Sequence, residues 1–404
     1  ALMVKGMWRS HNAKMPPVTA SGTQSLQPKN NAGLTFNSGT GARLRVGVLG
    51  LGMAGGLMVP AVASHPRTVL CGAADLNAVL RQRFERDYGV PVDDTAEALV
   101  CRPDVDAIYI ATPHQLHRDH VHLAARYGKH VIVEKPIALT LQGCDEMIDS
   151  TARAGIVMMV GHTHSSDPAV GMLRDFTARG EFGRLAAVAM LNYTDFMYRP
   201  RRPEELDTKQ GGGIIYNQLP HQIEVARLAA NSEVRSVRAS LWRLDPARPT
   251  EGCCAAFVQF ASGAAATMVY SGYDHFDSDE FHGWVSSSGR IKSPAHGAAR
   301  RRLRQLAAVS DEAVMRTDRY GYGGDLPTSP PTHQAHFGQM ILTYERADVR
   351  TSPAGLTVYS DEGVREIPVD CSSTGRAALL DEFCAAVMDG RPPIHDGPFA
   401  RGTL

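Results

Sequence analysis

Lys135 stands just past the apolar run His130–Val133, with Glu134 between, so a strand there would carry its amine to the end of a sheet. Partial burial disfavours an ammonium and lowers its pKa, which lets the amine take a proton from a hydroxyl. Taken alone, a lysine in this position reads as a surface residue. Asn217 and His221 lie four residues apart with Pro220 between them. If Pro220 opens a helix, where its missing N–H costs little, both side chains face one cleft. His221 titrates near neutrality and suits proton transfer; Asn217 orients a hydroxyl or carbonyl but cannot be a base. The choice between Lys135 and His221 as the base stays open.

A second set of residues is shaped for phosphates. Gly50-Leu51-Gly52-Met53-Ala54-Gly55 follows the short apolar run Leu44–Leu49 and precedes a stretch able to form a helix. Gly50 permits a tight turn, Gly52 lets backbone N–H groups reach a pyrophosphate, and Gly55 lets helix and strand pack closely. The helix N-terminus adds positive potential. The next strand, Thr68–Ala74, ends at Asp75. An acid roughly 20 residues past such a loop binds ribose hydroxyls and repels a 2′-phosphate, so NAD is expected rather than NADP. Asp75 capping the following helix is the alternative.

Other candidates have less context. His114, His117, His120 and His122 cluster without a metal-ligand pattern, and no metal is expected. His164 follows the run Ile156–Val160 and is either a substrate contact or a hydrogen-bonded structural histidine. Arg199, Arg201 and Arg202, beside Tyr198, form either a carboxylate cradle or a solvated loop paired with Glu204 and Glu205. The basic run Arg300–Arg304 reads as an exposed helix face. The segment 293–332 is poorly periodic and receives no function.

Positioning these groups requires two domains. The apolar runs Val105–Ile110, His130–Val133 and Ile156–Val160 alternate with helical stretches such as the one from Leu141, the pattern of a doubly wound parallel sheet. Beyond residue 183 the period shortens to two, over Leu185–Tyr193, Arg235–Leu244, Cys253–Phe260, Ala264–Tyr270, Phe281–Ser287 and Leu356–Ser360. These read as strands of a mainly antiparallel sheet. An amphipathic helix over Ala377–Met388 ends at Gly390. The fold class is α/β: a Rossmann domain over 43–165 and an α+β substrate and oligomerisation domain over 166–404, behind a tail, 1–42.

The 404 residues carry 42 basic and 42 acidic side chains, so nothing points to nucleic acid or an anionic membrane as partner. No apolar run approaches the ~18 residues that cross a bilayer. Seven scattered cysteines without C-x-x-C spacing suit a reducing, cytoplasmic setting. Residues 1–42 lack acids, the first being Asp75, and the tail's stretch Thr19–Gly41 is rich in Ser, Thr, Asn, Gln and Gly with no apolar period. It is expected to be disordered, as either a transit segment or an upstream extension.

Four motifs occur in order: the glycine loop, Ala111-Thr112-Pro113-His114-Gln115-Leu116-His117, Glu134-Lys135-Pro136, and Gly211-Gly212-Gly213 with Asn217 and His221. Together they resemble the Gfo/Idh/MocA family of nicotinamide-dependent oxidoreductases. Within it, Tyr198–Asp207, Asp245–Glu251, Tyr270–Glu280 and Asp389–Asp396 are similar to the subgroup that oxidises carboxylated cis-dihydrodiols of the phthalate-4,5-dihydrodiol type. Most members carry Asp where this chain has Asn217, and similar proteins continue into a final helix. The resemblance implies NAD held by Gly50, Gly52, Met53, Ala54, Gly55, Asp75, Thr112, Pro113, His114, His117, Glu134 and Lys135. It implies catalysis by Lys135, His221 and Asn217, and substrate contacts from His164, Tyr198, Arg199, Arg201, Asn217 and His221. The expected partners are a small anionic substrate and copies of the same chain, as a dimer or tetramer through the second sheet. A sugar or inositol-type polyol dehydrogenase is the first alternative, and a catalytically silent NAD-binding regulator the second.

Overall fold

The structure, a computed structural model, describes residues 42–305, 309–325, 330–371 and 374–404. The expectation of a disordered tail falls on residues that, except for Ala42, lie outside these. The first sheet comprises β1 (Leu44–Leu49), β2 (Thr68–Ala74), β3 (Val92–Asp93), β4 (Ala107–Ile110), β5 (His130–Val133) and β6 (Met158–Val160). Its order is β3-β2-β1-β4-β5-β6 and every pairing is parallel. The central strands β4 and β5 are buried at every position, which is why they read as unbroken apolar runs. Side chains such as Ile108, Ile110, Val131 and Val133 are wholly inside, each contributing roughly 1.5–3 kcal/mol of transfer free energy.

Helices α1 (Met53–Ser64), α2 (Ala78–Tyr88), α3 (Ala96–Val100), α4 (His117–Arg126) and α5 (Leu141–Ala154) connect these strands. Their starts are written locally: the Asn77, Thr95 and Thr140 side chains each accept from a first-turn backbone N–H. Crossovers on both sides of the strand order leave a crevice at the carboxyl ends of β1 and β4, where α/β sheets take ligands.

After α6 (Pro168–Arg179) comes the second sheet: β7 (Leu185–Tyr193), β8 (Val234–Trp242), β9 (Cys253–Phe260), β10 (Ala265–Ser271), β11 (Gln339–Tyr344), β12 (Ala347–Ser352), β13 (Gly355–Ser360) and β14 (Gly363–Pro368). It runs β14-β13-β12-β11-β7-β10-β9-β8 and is antiparallel except for the β7–β10 pair. Val188, Met190, Val258, Met268, Leu342 and Val358 point to one face and pack on α6 and α8 (Leu219–Ala230). Immediately before α8 lies the single-turn α7 (Gly213–Asn217).

The structure corrects the sequence reading at three places. Phe281–Ser287 is not a strand: Asp277 caps a 3₁₀ turn over Ser278–His282, left-handed Gly283 ends it, and one bridge joins Val285 to Ile291. The segment 293–332, read as poorly periodic, carries α10 (Val309–Tyr320) as well as α9 (Ala298–Arg304), the helix expected at Arg300–Arg304. Finally, α11 (Gly375–Asp389) and α12 (Gly397–Thr403), assigned by sequence to the second domain, return to the first. They pack on α1, α5 and β6, tied by His65–Asp381 at 3.1 Å, Arg67–Asp389 at 2.8 Å and Arg401–Asp145 at 2.5 Å.

Candidate active site

A cleft of about 1380 Å³ opens at the carboxyl ends of β1, β2, β4 and β5 and runs into the second domain. Gly50, Gly52, Met53, Ala54, Asp75, Thr112, Pro113, His114, Glu134 and Lys135 line its first-domain side. Gly50 takes φ +97°, which favours glycine. A Cβ on Gly55 would lie 1.8 Å from the Gly50 carbonyl oxygen, whereas one on Gly52 would enter open space. The loop therefore needs its first and third glycines to close, and leaves backbone free at the second, the cradle a dinucleotide pyrophosphate requires. Asp75 accepts from Leu51 N at 2.6 Å and Asn77 N at 2.7 Å, so its carboxylate sits in the cleft and fixes the loop as well. Tyr322, just after α10, donates its N–H to Leu51 O at 2.9 Å and packs on Phe84 and Tyr88. That connection makes the segment after α10 a wall of the nucleotide end, which its poor periodicity concealed.

Two members of the expected cofactor set are absent from the cleft surface. Gly55 is buried beneath the loop. His117 is fully buried, its ring nitrogens 2.9 Å from Pro136 O and 3.0 Å from Thr112 O. It links the Thr112-Pro113 and Lys135-Pro136 turns from behind.

Lys135 and the α7–α8 turn meet across the cleft. Lys135 Nζ donates to Asn217 O at 2.8 Å. Burial draws its pKa down to about 8, against the Glu134 charge and with help from Arg201. Pro220 stands in the first turn of α8, so His221 faces the cleft beside Asn217. The His221 ring stands edge-on to His164 at 4.9 Å, and Phe337 packs on both at 5.1 and 5.0 Å. Burial, then the positive charges of Lys135, His164, His162 and Arg376, hold His221 well below the usual histidine range. Its Nδ1 is buried without a partner among the described residues. Asn217 departs from expectation: both its amide hydrogens are spent on Gly211 O at 3.0 Å and Gly213 O at 2.8 Å. The side chain braces the triple-glycine turn, and its backbone carbonyl positions Lys135.

The arginine loop is corrected more strongly. Arg201 is buried away from the cleft, 3.7 Å above the Phe196 ring and donating to Phe196 O at 2.6 Å. Tyr198 is also outside, bonded to Asp245 at 2.5 Å and covered by Arg300 at 4.6 Å from its ring. Arg199 and Arg202 line the cleft but are paired, with Asp195 at 2.7 Å and Glu204 at 3.1 Å. Arg300, read as exposed, is thus a packing residue of that cluster. Phe337, Arg290, Arg316, Tyr320 and Arg376 line the cleft without having been singled out. No motif marks them, because they reach it from distant chain segments.

Among the described residues no group of His, Cys, Asp and Glu side chains could hold a metal ion, and no helix is long and apolar enough to cross a membrane. The seven cysteines are free.

Comparison with known proteins agrees with this geometry. The chain is 38% identical over 368 residues, 89% of its length and 92% of the relative's, to a 1-carboxy-3-chloro-3,4-dihydroxycyclohexa-1,5-diene dehydrogenase of Comamonas testosteroni. It is 31% identical, over 80% of its length and 94% of the relative's, to a dTDP-3,4-didehydro-2,6-dideoxy-alpha-D-glucose 3-reductase of Streptomyces antibioticus. A crystal structure assigned as a dehydrogenase, from Bordetella bronchiseptica RB50, superposes with a TM-score of 0.85 at 48% identity, covering 89% of this chain and 95% of that one. Residues 44–162 match the GFO/IDH/MocA oxidoreductase family, NAD-binding Rossmann fold, and residues 170–285 match the GFO/IDH/MocA C-terminal domain. The chain with the glycine loop, Asp75 and the Lys135–His221 cleft belongs to the GFO/IDH/MocA family of NAD-binding oxidoreductases.

Proposed function

We propose that the protein oxidises a carboxylated cis-dihydrodiol to the corresponding catechol. The observation that carries this reading is the meeting of Lys135 and His221 in one cleft with the glycine loop, in a chain whose near-full-length relative acts on such a diol. Bound NAD supplies the hydride acceptor. The residues for it are Gly50, Gly52, Met53, Ala54 and Asp75 at the adenosine and pyrophosphate end, with Thr112, Pro113, His114 and Glu134 toward the nicotinamide. Lys135, with a pKa near 8, takes the proton from the substrate hydroxyl as the carbon bearing it gives up a hydride. His221, kept neutral, holds the second hydroxyl, and His164 and Phe337 hold the ring. The hydroxydienone left behind tautomerises to a catechol, and aromatisation drives the reaction forward.

Incubation with NAD and a carboxylated cis-dihydrodiol should raise absorbance at the NADH band, with little signal from inositol or aldoses. Turnover of polyols but not of the diol would refute the substrate class. The reading includes a cytoplasmic setting, in line with seven unpaired thiols. It also includes self-association through the outer face of the second sheet, where Leu191, Phe257, Ile341, Tyr359 and Val364 are exposed.

A further inference from the structure

Most cations along the substrate end of the cleft already have an anion. Arg199 is held by Asp195 at 2.7 Å, Arg202 by Glu204 at 3.1 Å, and Arg316 by Glu205 at 2.6 Å. Lys292 lies between Asp277 at 2.5 Å and Asp279 at 2.6 Å. Arg376 differs. Among the described residues it forms neither an ion pair nor a hydrogen bond, although its Nε is shut away from solvent. A polar atom without a partner costs free energy, and an anion bound at Arg376 would supply that partner.

The position of Arg376 makes the charge costlier still. It stands in the first turn of α11, where the helix presents the positive end of its dipole. Its helix is held close to the reacting groups: a Cβ on Gly375 would come within 2.0 Å of the Thr163 carbonyl, next to His164. Arg290 lines the same part of the cleft. The two guanidinium groups are near enough that Arg376, after burial, disfavours the charge on Arg290.

We infer that Arg376, with Arg290 beside it, is the receptor for the substrate's carboxylate and sets the preference for a ring acid over a neutral ring diol. A guanidinium fork takes a carboxylate through two parallel N–H···O bonds. With the carboxylate seated on Arg376, the hydroxyl-bearing edge of the ring faces His221 and Lys135. The inference rests on the proposed function for the identity of the ring, while the need for an anion comes from Arg376 itself. It also relieves the loop Arg199–Arg202 of the role its sequence suggested.

The test is isothermal titration calorimetry of the NADH-saturated protein with 3,4-dihydroxybenzoate and with catechol. The wild type should bind the carboxylated ligand about 10- to 100-fold more tightly, the range of a charged hydrogen-bonded contact. Arg376→Met should abolish that preference while leaving NADH and catechol affinities unchanged, and Arg376→Lys should restore part of it. Arg202→Met, whose guanidinium belongs to Glu204, should retain it. A wild type without preference, an Arg376→Met protein that keeps it, or one that weakens equally toward both ligands would overturn the inference. A preference that persists in a protein unable to reduce NAD with any cis-dihydrodiol would reject the proposed reaction and leave the anion receptor standing.

Discussion

The protonation of Lys135 should govern the rate at neutral pH. Burial takes its pKa from 10.5 to about 8, a difference of roughly 3 kcal/mol in favour of the neutral amine. With an ordinary lysine pKa, roughly one amine in three thousand would be neutral at pH 7; at about 8 the fraction is roughly one in ten. Only the neutral amine accepts the hydroxyl proton, so kcat/KM should rise about tenfold between pH 7 and pH 9 and then level off. His221 stays neutral through this range and adds no limb of its own. Because the Glu134 charge raises the Lys135 pKa, Glu134→Gln should move the midpoint to lower pH. Lys135→Met should remove the limb and lower kcat/KM by about 10²- to 10⁴-fold, with NAD affinity retained. The assay is the initial rate of NADH formation across pH 6–10 at saturating NAD with a carboxylated cis-dihydrodiol. A limb unchanged in Lys135→Met, or one near pH 6.5 that vanishes on replacing His221, would refute the assignment.

Three further outcomes are expected. Asp75→Ser should lower the ratio of kcat/KM for NAD over NADP by about 10- to 100-fold, since the carboxylate that excludes a 2′-phosphate is gone; an unchanged ratio would reduce Asp75 to its bonds with Leu51 and Asn77. For His395, burial is outweighed by the hydrogen bond and charge of Glu382 and the charge of Glu224, so its pKa is raised on folding. Its stabilisation is complete below about pH 6.5, the unfolded value, and fades as pH rises through the folded one. The Tm gap between wild type and His395→Gln should therefore narrow from pH 5.5 to pH 8.5, and a constant gap would contradict this. Phe257→Glu, on the exposed sheet face, should yield a folded protein of lower mass in sedimentation velocity; an unaltered mass would exclude that face as the interface.

Features confined to one short stretch of chain were legible in the sequence. The Gly50–Gly55 loop, the acid at Asp75, and the strands Thr68–Ala74 and His130–Val133 each carry their cause locally, as positive φ, close approach or unbroken apolar character. The antiparallel sheet was half legible: β7, β9 and β10 alternate cleanly, while the short strands β11, β12 and β14 escaped notice. Phe281–Ser287 misled because its aromatic and β-branched residues mimic a strand, while the cap at Asp277 lies just upstream. What could not be read is which side chains meet across distance. His164, His221 and Phe337 form one aromatic floor from three remote segments, and α11 joins the first domain only after the chain has built the second.

The arginines show how this limit bears on function. Sequence draws attention to density, and Arg199, Arg201 and Arg202 are dense. Density also brings neighbours, and Asp195, Glu204 and Glu205 lie within a few residues, close enough to neutralise what the loop gathers. A charge satisfied by its own fold has little left to offer a ligand, because a newcomer must first displace a partner already in place. A solitary arginine such as Arg376 has its nearest acids five and six residues away, at Asp381 and Asp370, forms no ion pair among the described residues, and gives sequence no reason to notice it. The charge available for recognition is the one the fold leaves uncompensated, so in this cleft isolation along the chain, rather than clustering, marks the cation that an anionic substrate would meet.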